Sequence, residues 1–270
     1  MSTVLTKSLT DGGVVAWRNL LNVRRNPDWL MAATIQPIMF VLLFAYVFGG
    51  AIAGEAGSEA YREYLIAGIF AQTVAFNSAF TVVGFANDLQ KGIIDRFRSL
   101  PMSRIAVILG RTTSDMVVSV IALIVMSICG LLVGWEINTG FGDATLGYLI
   151  MLLFAWALSW VGALIGLLAR SVEVAQSAGL IWLFPVSFIS AAFVPLESLP
   201  GPLQVFATWN PFTAVINATR ELFGNTVLGM SSTDAWPLEH SALYAVLSCL
   251  AIIAIFAPLS VSRYRRVASK

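Results

Sequence analysis

The chain predicts an all-α, polytopic membrane protein with six transmembrane helices. Three observations carry that fold class. The sequence is 58% hydrophobic and only 11% charged, with a mean hydropathy of +0.81, whereas a soluble domain holds about 25% charged residues. Six apolar runs, near 30–50, 63–87, 110–134, 145–168, 174–194 and 241–262, reach the length of about 20 residues that a helix needs to cross the hydrocarbon core. Of the 16 Lys and Arg residues, 14 fall in alternate connections of those six runs, leaving Arg62 and Arg220 on the other side. That bias predicts both termini in the cytoplasm.

Residues 1–28 come before the first run. Val14, Trp17, Leu20 and Leu21 form one apolar side of a helix, with Arg18, Arg24 and Arg25 turned to anionic headgroups and Trp17 suited to the interface. An ordinary cytoplasmic leader has a similar composition. Asn26-Pro27-Asp28 breaks the pattern. Ala51-Ile52-Ala53 resembles a signal cleavage site, but the apolar run before it is longer than a signal core, so no cleavage is expected.

The connection at 88–104 is charged and amphipathic. Lys91, Arg96, Arg98 and Arg104 are basic, Asp88 and Asp95 acidic, and Ile93, Ile94, Phe97 and Leu100 apolar. Ile93, Phe97 and Leu100 recur at helical spacing. Pro101 ends the pattern and disfavours helical geometry at Leu100. The spacing predicts one short helix lying flat on the inner face. A loop that only fixes topology needs the charges but not the apolar side.

The last outward connection, about 195–240, differs from the others. Pro195, Pro200 and Pro202 precede an Asn210-Pro211 turn signal. The apolar pieces between them, 203–209 and 212–223, are too short to cross. They suit a hairpin that enters the outer leaflet and returns, with Pro211 in the first turn of its second helix. A folded loop above the bilayer is the alternative.

Several chemistries are excluded. No Gly-x-x-x-x-Gly-Lys-Ser/Thr loop occurs, so the chain holds no nucleotide phosphates of its own. His240 is the only histidine, and no His-Glu-x-x-His occurs, so an intramembrane hydrolase or metal site lacks its residues. Cys129 and Cys249 lie in separate apolar runs and read as small buried hydrophobes. Mid-span polar positions hold neutral residues: Gln36, Gln72, Thr73, Asn77, Ser78, Gln176, Ser187 and Ser190. Arg111 and Asp115 sit one turn apart and can pair with each other or reach headgroups. Gly130-x-x-x-Gly134 and Gly162-x-x-x-Gly166 allow close helix approach. Pro37 and Pro185 fall inside spans.

The segment Asn87-Asp88-Leu89-Gln90-Lys91-Gly92-Ile93-Ile94-Asp95-Arg96-Phe97-Arg98-Ser99-Leu100-Pro101-Met102-Ser103-Arg104 resembles the coupling-helix segment of type 2 ABC exporter permeases, of the daunorubicin-resistance branch. Phe193-Val194-Pro195, Leu199-Pro200 and Asn210-Pro211 are similar to that family's re-entrant outer hairpin. The resemblance covers nearly the whole chain. It departs at Asn87-Asp88, where the family more often has paired glutamates. The resemblance implies a single transmembrane domain over 1–270 that works as a dimer, with a second copy or a sister permease. It implies two separate ATP-binding cassette subunits that bind ATP and Mg, while this chain binds no cofactor. Residues 91–104 would sit in a groove on the ATPase. ATP-driven closure would then tilt the spans and open a path lined by groups such as Gln72, Asn77 and Gln176. The setting it implies is a prokaryotic inner (plasma) membrane.

Three functions follow as expectations. The first is export of an amphipathic drug, antibiotic or lipid. The second is export of a polysaccharide or lipid-linked glycan by the same kind of machine. The third is a non-transporting intramembrane enzyme or sensor, which would have no ATPase partner. None of the three involves nucleic acid.

Overall fold

The computed structural model describes residues 2–25, 27–48, 57–98, 103–225 and 235–267, and the regular structure among them is helical. In chain order the helices are α1 (Ser2–Arg25), α2 (Pro27–Leu42, running on as a π-helical turn Leu43–Phe48) and α3 (Gly57–Gln90). Then come α4 (Ile93–Arg98), α5 (Arg104–Leu132), α6 (Phe141–Leu168) and α7 (Val172–Phe188). The chain closes with α8 (Gly201–Thr208), α9 (Pro211–Phe223), α10 (Trp236–Glu239) and α11 (Ser241–Val267).

Four of the described helices are long and apolar enough to cross a membrane: Tyr61–Gln90 within α3, Ile105–Leu132, Phe141–Leu168 and Ser241–Arg266. The two other expected runs are carried by shorter elements. Helix α2 has 16 residues before its π-helical turn, and α7 has 17, the lower edge of spanning length.

Helix α3 is the hub. It packs against α2, α5, α6, α7 and α9, and Leu65, Ile66, Ile69 and Phe70 on it are fully buried. At 34 residues it is about 51 Å long at 1.5 Å per residue, so it outreaches a bilayer core of about 30 Å at both ends. Helices in lipid gain by close van der Waals contact, which small residues permit. Gly162 and Gly166 on α6 do this as expected: a Cβ there would fall 2.6 Å from the Ser78 carbonyl oxygen and 2.5 Å from that of Val82. Gly134 does not, and a Gly130 Cβ would meet Trp135 at 3.0 Å and Ile66 of α3 at 3.5 Å. Helix α5 ends at Leu132, and Gly134 adopts φ +93° in the closing turn, where the Trp135 amide donates to the Gly130 carbonyl at 2.9 Å.

The helix ends sort into two faces. At one, Phe85, Ile94, Val107, Leu167 and Tyr264 share a core cluster, and Arg263 Nε donates to the Leu167 carbonyl at 3.4 Å. Helix α1 lies on this face against α5, with Gly12 and Gly110 at the crossing, where a Gly110 Cβ would stand 2.6 Å from the Gly12 oxygen. The opposite face holds the start of α3, the 189–199 loop, α8 and α9. There Tyr61 donates to the Phe193 carbonyl, and the fully buried Trp135 donates through Nε1 to Asn225 Oδ1 at 2.7 Å.

Candidate functional site

The segment expected to be one helix over 88–104 is three pieces. Asp88 belongs to the last turn of α3, and Arg104 opens α5. Among the described residues between them, 93–98 forms a separate short helix, α4. The break has a local cause. Gly92 takes φ +63°, a left-handed conformation that glycine adopts without steric cost. The Lys91 and Gly92 amides close α3 onto the Asn87 and Leu89 carbonyls at 3.0 and 3.1 Å. Ile94 on α4 is buried and Phe97 packs beside it, while Lys91 and Arg96 are exposed. Asp95, Arg98 and Arg104 are placed by backbone alone, and Leu100 and Pro101 lie outside the described residues.

Helix α1 meets this segment through Arg18. Its Nη2 donates to Asp88 Oδ2 at 3.4 Å, and its guanidinium stands 4.9 Å from the Phe97 ring centroid. Asp11 Oδ2 accepts from the Ser103 amide at 3.4 Å on the far side of the same connection. Arg18 therefore does not point to headgroups as its sequence position suggested. It joins three elements: α1, the end of α3 and α4. Val14 and Trp17 remain exposed, at 64% and 65%.

From this junction a ladder of polar contacts climbs between α3 and α5. Arg111 Nη2 donates to the Phe80 carbonyl at 3.3 Å, and Arg111 Nε lies 3.6 Å from Asp115 Oδ1. Thr81 Oγ1 donates to Asp115 Oδ2 at 2.6 Å, and Asn77 Nδ2 to Ser119 Oγ at 3.3 Å. Arg111 thus pairs with Asp115 and lies flat over Gly84, where a side chain would collide with the guanidinium.

The upper rungs border a cavity of about 240 Å³ between α2, α3 and α7. The three expected path residues, Gln72, Asn77 and Gln176, all line it, joined by Gln36, Thr73 and the rings of Phe40, Phe76 and Phe80. No single stretch of sequence shows this convergence, because it needs α2, α3 and α7 packed together.

At the opposite face, Pro195 precedes a 3₁₀ turn at Leu196–Ser198 and Pro200 precedes α8. Asn210 caps α9, accepting from the Phe212 amide at 3.0 Å through Oδ1, and Pro211 occupies the first turn. The Asn210 Nδ2 donates to the Val186 and Ile189 carbonyls at 2.7 and 2.8 Å, tying the end of α7 to the start of α9. The two hairpin helices are unequal: α9 is almost wholly buried, whereas Val205, Phe206 and Trp209 of the α8 arm are exposed.

Arg220 was not found by sequence reasoning, which counted it as an outer loop charge. It is fully buried. Its Nε and Nη2 donate to the Tyr64 carbonyl at 2.9 and 2.7 Å, Nη2 also to Ala191 at 2.7 Å, and Nη1 to Asn217 Oδ1 at 3.2 Å. Its guanidinium carbon lies 3.4 Å from the Tyr64 ring centroid. The available signal was weak: the one basic residue of a short helix, one turn after Asn217 and beside Glu221.

Comparison with known proteins agrees with this architecture. The family model described as ABC-2 type transporter matches residues 12–223. The chain is 30% identical over 251 residues to the daunorubicin resistance ABC transporter permease protein DrrB1 of Streptomyces coeruleorubidus, covering 92% of this chain and 84% of that protein. It is 22% identical over 208 residues to a Mycobacterium tuberculosis protein named as a probable doxorubicin resistance ABC transporter permease, DrrC, covering 75% of this chain and 73% of that one. It is 22% identical over 174 residues to an Escherichia coli protein named as a probable multidrug ABC transporter permease, YbhR, covering 62% and 46%. With the family model spanning most of the helical core, the chain belongs to the ABC-2 type transporter membrane family.

Proposed function

We propose that this chain is the membrane-spanning subunit of an ATP-driven exporter that moves a small amphipathic compound, a drug, antibiotic or lipid, out of the cytoplasm or inner leaflet. It crosses the membrane six times with both termini cytoplasmic, α2 and α7 supplying the two short spans. Two ATP-binding cassette subunits hold ATP and Mg, and a second copy or a sister permease completes the path. Helix α8 and helix α9 form the re-entrant outer hairpin.

One observation carries the reading. Lys91, in the turn that closes α3, and Arg96, on the short helix α4 that is wedged between α1 and the end of α3, stand exposed, on the face where nearly all the basic residues gather. Their exposed charge is accessible to a separate protein. The cavity of about 240 Å³ supports a small substrate over a polysaccharide.

The test is charge reversal. Lys91→Glu with Arg96→Glu is expected to abolish co-purification of the ATPase and to cut ATP-dependent export at least tenfold, with the thermal stability of the permease unchanged. Export by the purified chain alone, or full ATP-driven export by the double variant, refutes the reading.

A further inference from the structure

The cavity between α2, α3 and α7 has a chemistry narrower than "amphipathic". Its lining contains no ionisable side chain among the described residues. It presents four carboxamides, Gln36, Gln72, Asn77 and Gln176, and the Thr73 hydroxyl, set among the rings of Phe40, Phe76 and Phe80. Gln72 is 5% exposed and makes no hydrogen bond within the described residues. Asn77, equally buried, spends one amide hydrogen on Ser119 and keeps its carbonyl oxygen. Both residues line the cavity, so their remaining amide groups are available to a complementary ligand group.

The kind of group follows from what a carboxamide offers. It donates and accepts side by side, and a hydroxyl does the same. A cation entering this space meets no carboxylate, and an anion meets no guanidinium or ammonium, so either loses its hydration without a counter-charge. Arg111 and Asp115 do not change this, because they pair with each other on the α5 side of α3. Size sets a further limit. The cavity is below the ~300–1,000 Å³ that encloses a drug-sized ligand, so it fits a headgroup whose apolar body stays outside.

Resting on the exporter reading above, we propose that this cavity is the recognition site for an uncharged, hydroxyl-rich headgroup, a neutral glycosyl or polyol unit carried on an apolar body. The carboxamides bond its hydroxyls and the phenylalanine rings cover its less polar faces. Charged amphiphiles of the same shape are excluded by desolvation.

The experiment uses the full permease with its ATPase in lipid nanodiscs, without ATP. Three photoreactive probes share one twelve-carbon diazirine chain and carry a β-glucosyl, a trimethylammonium or a sulfate headgroup. Labelling of residues 69–83 is read by mass spectrometry. The glucosyl probe is expected to label this segment at least tenfold more than either charged probe, with competition by free alkyl glucoside. Gln72→Leu is expected to lower that labelling about tenfold, and Gln72→Glu to shift preference to the trimethylammonium probe. Gln176→Ala, on an exposed position at the rim, provides a second variant should Gln72→Leu not fold. Equal labelling by all three probes, preference of the wild type for a charged one, or labelling unmoved by both Gln72 and Gln176 variants overturns the proposal. Because binding is read without nucleotide, a complex that labels as expected but shows no ATP-driven export refutes the exporter reading alone.

Discussion

Arg18 offers the most direct test of how α4 is held. Replacing it by Glu removes the contact with Asp88 at 3.4 Å and the stacking on Phe97 at 4.9 Å, and puts like charges together. The Arg18 side chain is 33% exposed and that of Asp88 15%. A pair this accessible contributes about 0.5–1 kcal/mol, and a part-exposed cation over a ring about 0.5–1 kcal/mol more. The sum, about 1–2 kcal/mol, corresponds to a 5–30-fold change in the equilibrium between docked and released α4. It is small against the packing of the whole bundle. Arg18→Glu should therefore leave the thermal midpoint within a few degrees while ATP-driven export in proteoliposomes falls about 5–30-fold at constant ATPase content. The swap Arg18→Glu with Asp88→Arg restores the charge pair but not the stacking, because the guanidinium now starts from α3. It should recover about half of the loss in free-energy terms, and that recovery should fade in high salt as screening removes the pair. Wild-type coupling in Arg18→Glu, or a swap no better than the single variant, refutes the junction as the element that holds α4.

Five further substitutions test the bundle and the face that carries α8 and α9. Arg220→Met removes four donor contacts and the stacking on Tyr64 but also a buried charge, and should cost about 2–4 kcal/mol, read by steric-trap or denaturant unfolding in detergent; a neutral result refutes its role in holding α9 to α3 and the 189–194 loop. Gly166→Ala places a Cβ 2.5 Å from the Val82 oxygen and should cost about 1–3 kcal/mol by overpacking, whereas Gly142→Ala, with nothing within 4 Å, should change stability by less than about 1 kcal/mol. Asn210→Ala loses all three contacts, whereas Asn210→Asp keeps the cap on Phe212 but sets a buried carboxylate oxygen against the Val186 and Ile189 carbonyls; unfolding should rank them wild type, then Ala, then Asp, with the alanine loss about 2 kcal/mol and the aspartate loss larger.

The sequence made the apolar spans legible because hydropathy is a sum over many residues and tolerates local error. It also placed the Asn210-Pro211 turn, since capping and the fixed φ of proline are local properties. Contacts between distant segments were not legible in the same way. Gly92 was visible, yet its effect, dividing 88–104 into a helix end, α4 and the start of α5, depends on Asp88 being held by Arg18 from 70 residues away. Arg220 shows the limit most clearly. Apart from Asn217 one turn away, its hydrogen-bond partners are backbone carbonyls, one of them 156 residues distant, and a backbone carbonyl has no sequence signature. The paired glycines divide on the same ground: Gly162 and Gly166 face α3, while Gly134 stands beyond the end of its helix.

In the proposed exporter, the cavity residues and the Asp88 anchor beside α4 share one helix, which would link recognition to drive. Gln72, Thr73, Asn77 and Phe80 line the cavity, and Asp88 anchors Arg18, all on α3. Helix α3 runs unbroken from Gly57 to Gln90, so it moves as a rod, and the first soft joint after the cavity is Gly92. A push on α4 that is transmitted through Arg18 and Ile94 reaches the cavity wall without a bend between. The ladder to α5 keeps this rod engaged. The rungs that cross between the helices, Arg111 to the Phe80 carbonyl, Thr81 to Asp115 and Asn77 to Ser119, each pair a donor with an acceptor, so sliding α3 against α5 breaks bonds that have no water to replace them. Movement of α3 alone is therefore costlier than movement of α3 with α5 and with α6, whose Gly162 and Gly166 lie against its backbone. The wall that then shifts against it carries Gln36 on α2 and Gln176 on α7. In the proposed exporter, two of the four carboxamides would travel with the rod and two would remain behind, so the displacement delivered at α4 would separate the groups that hold the headgroup.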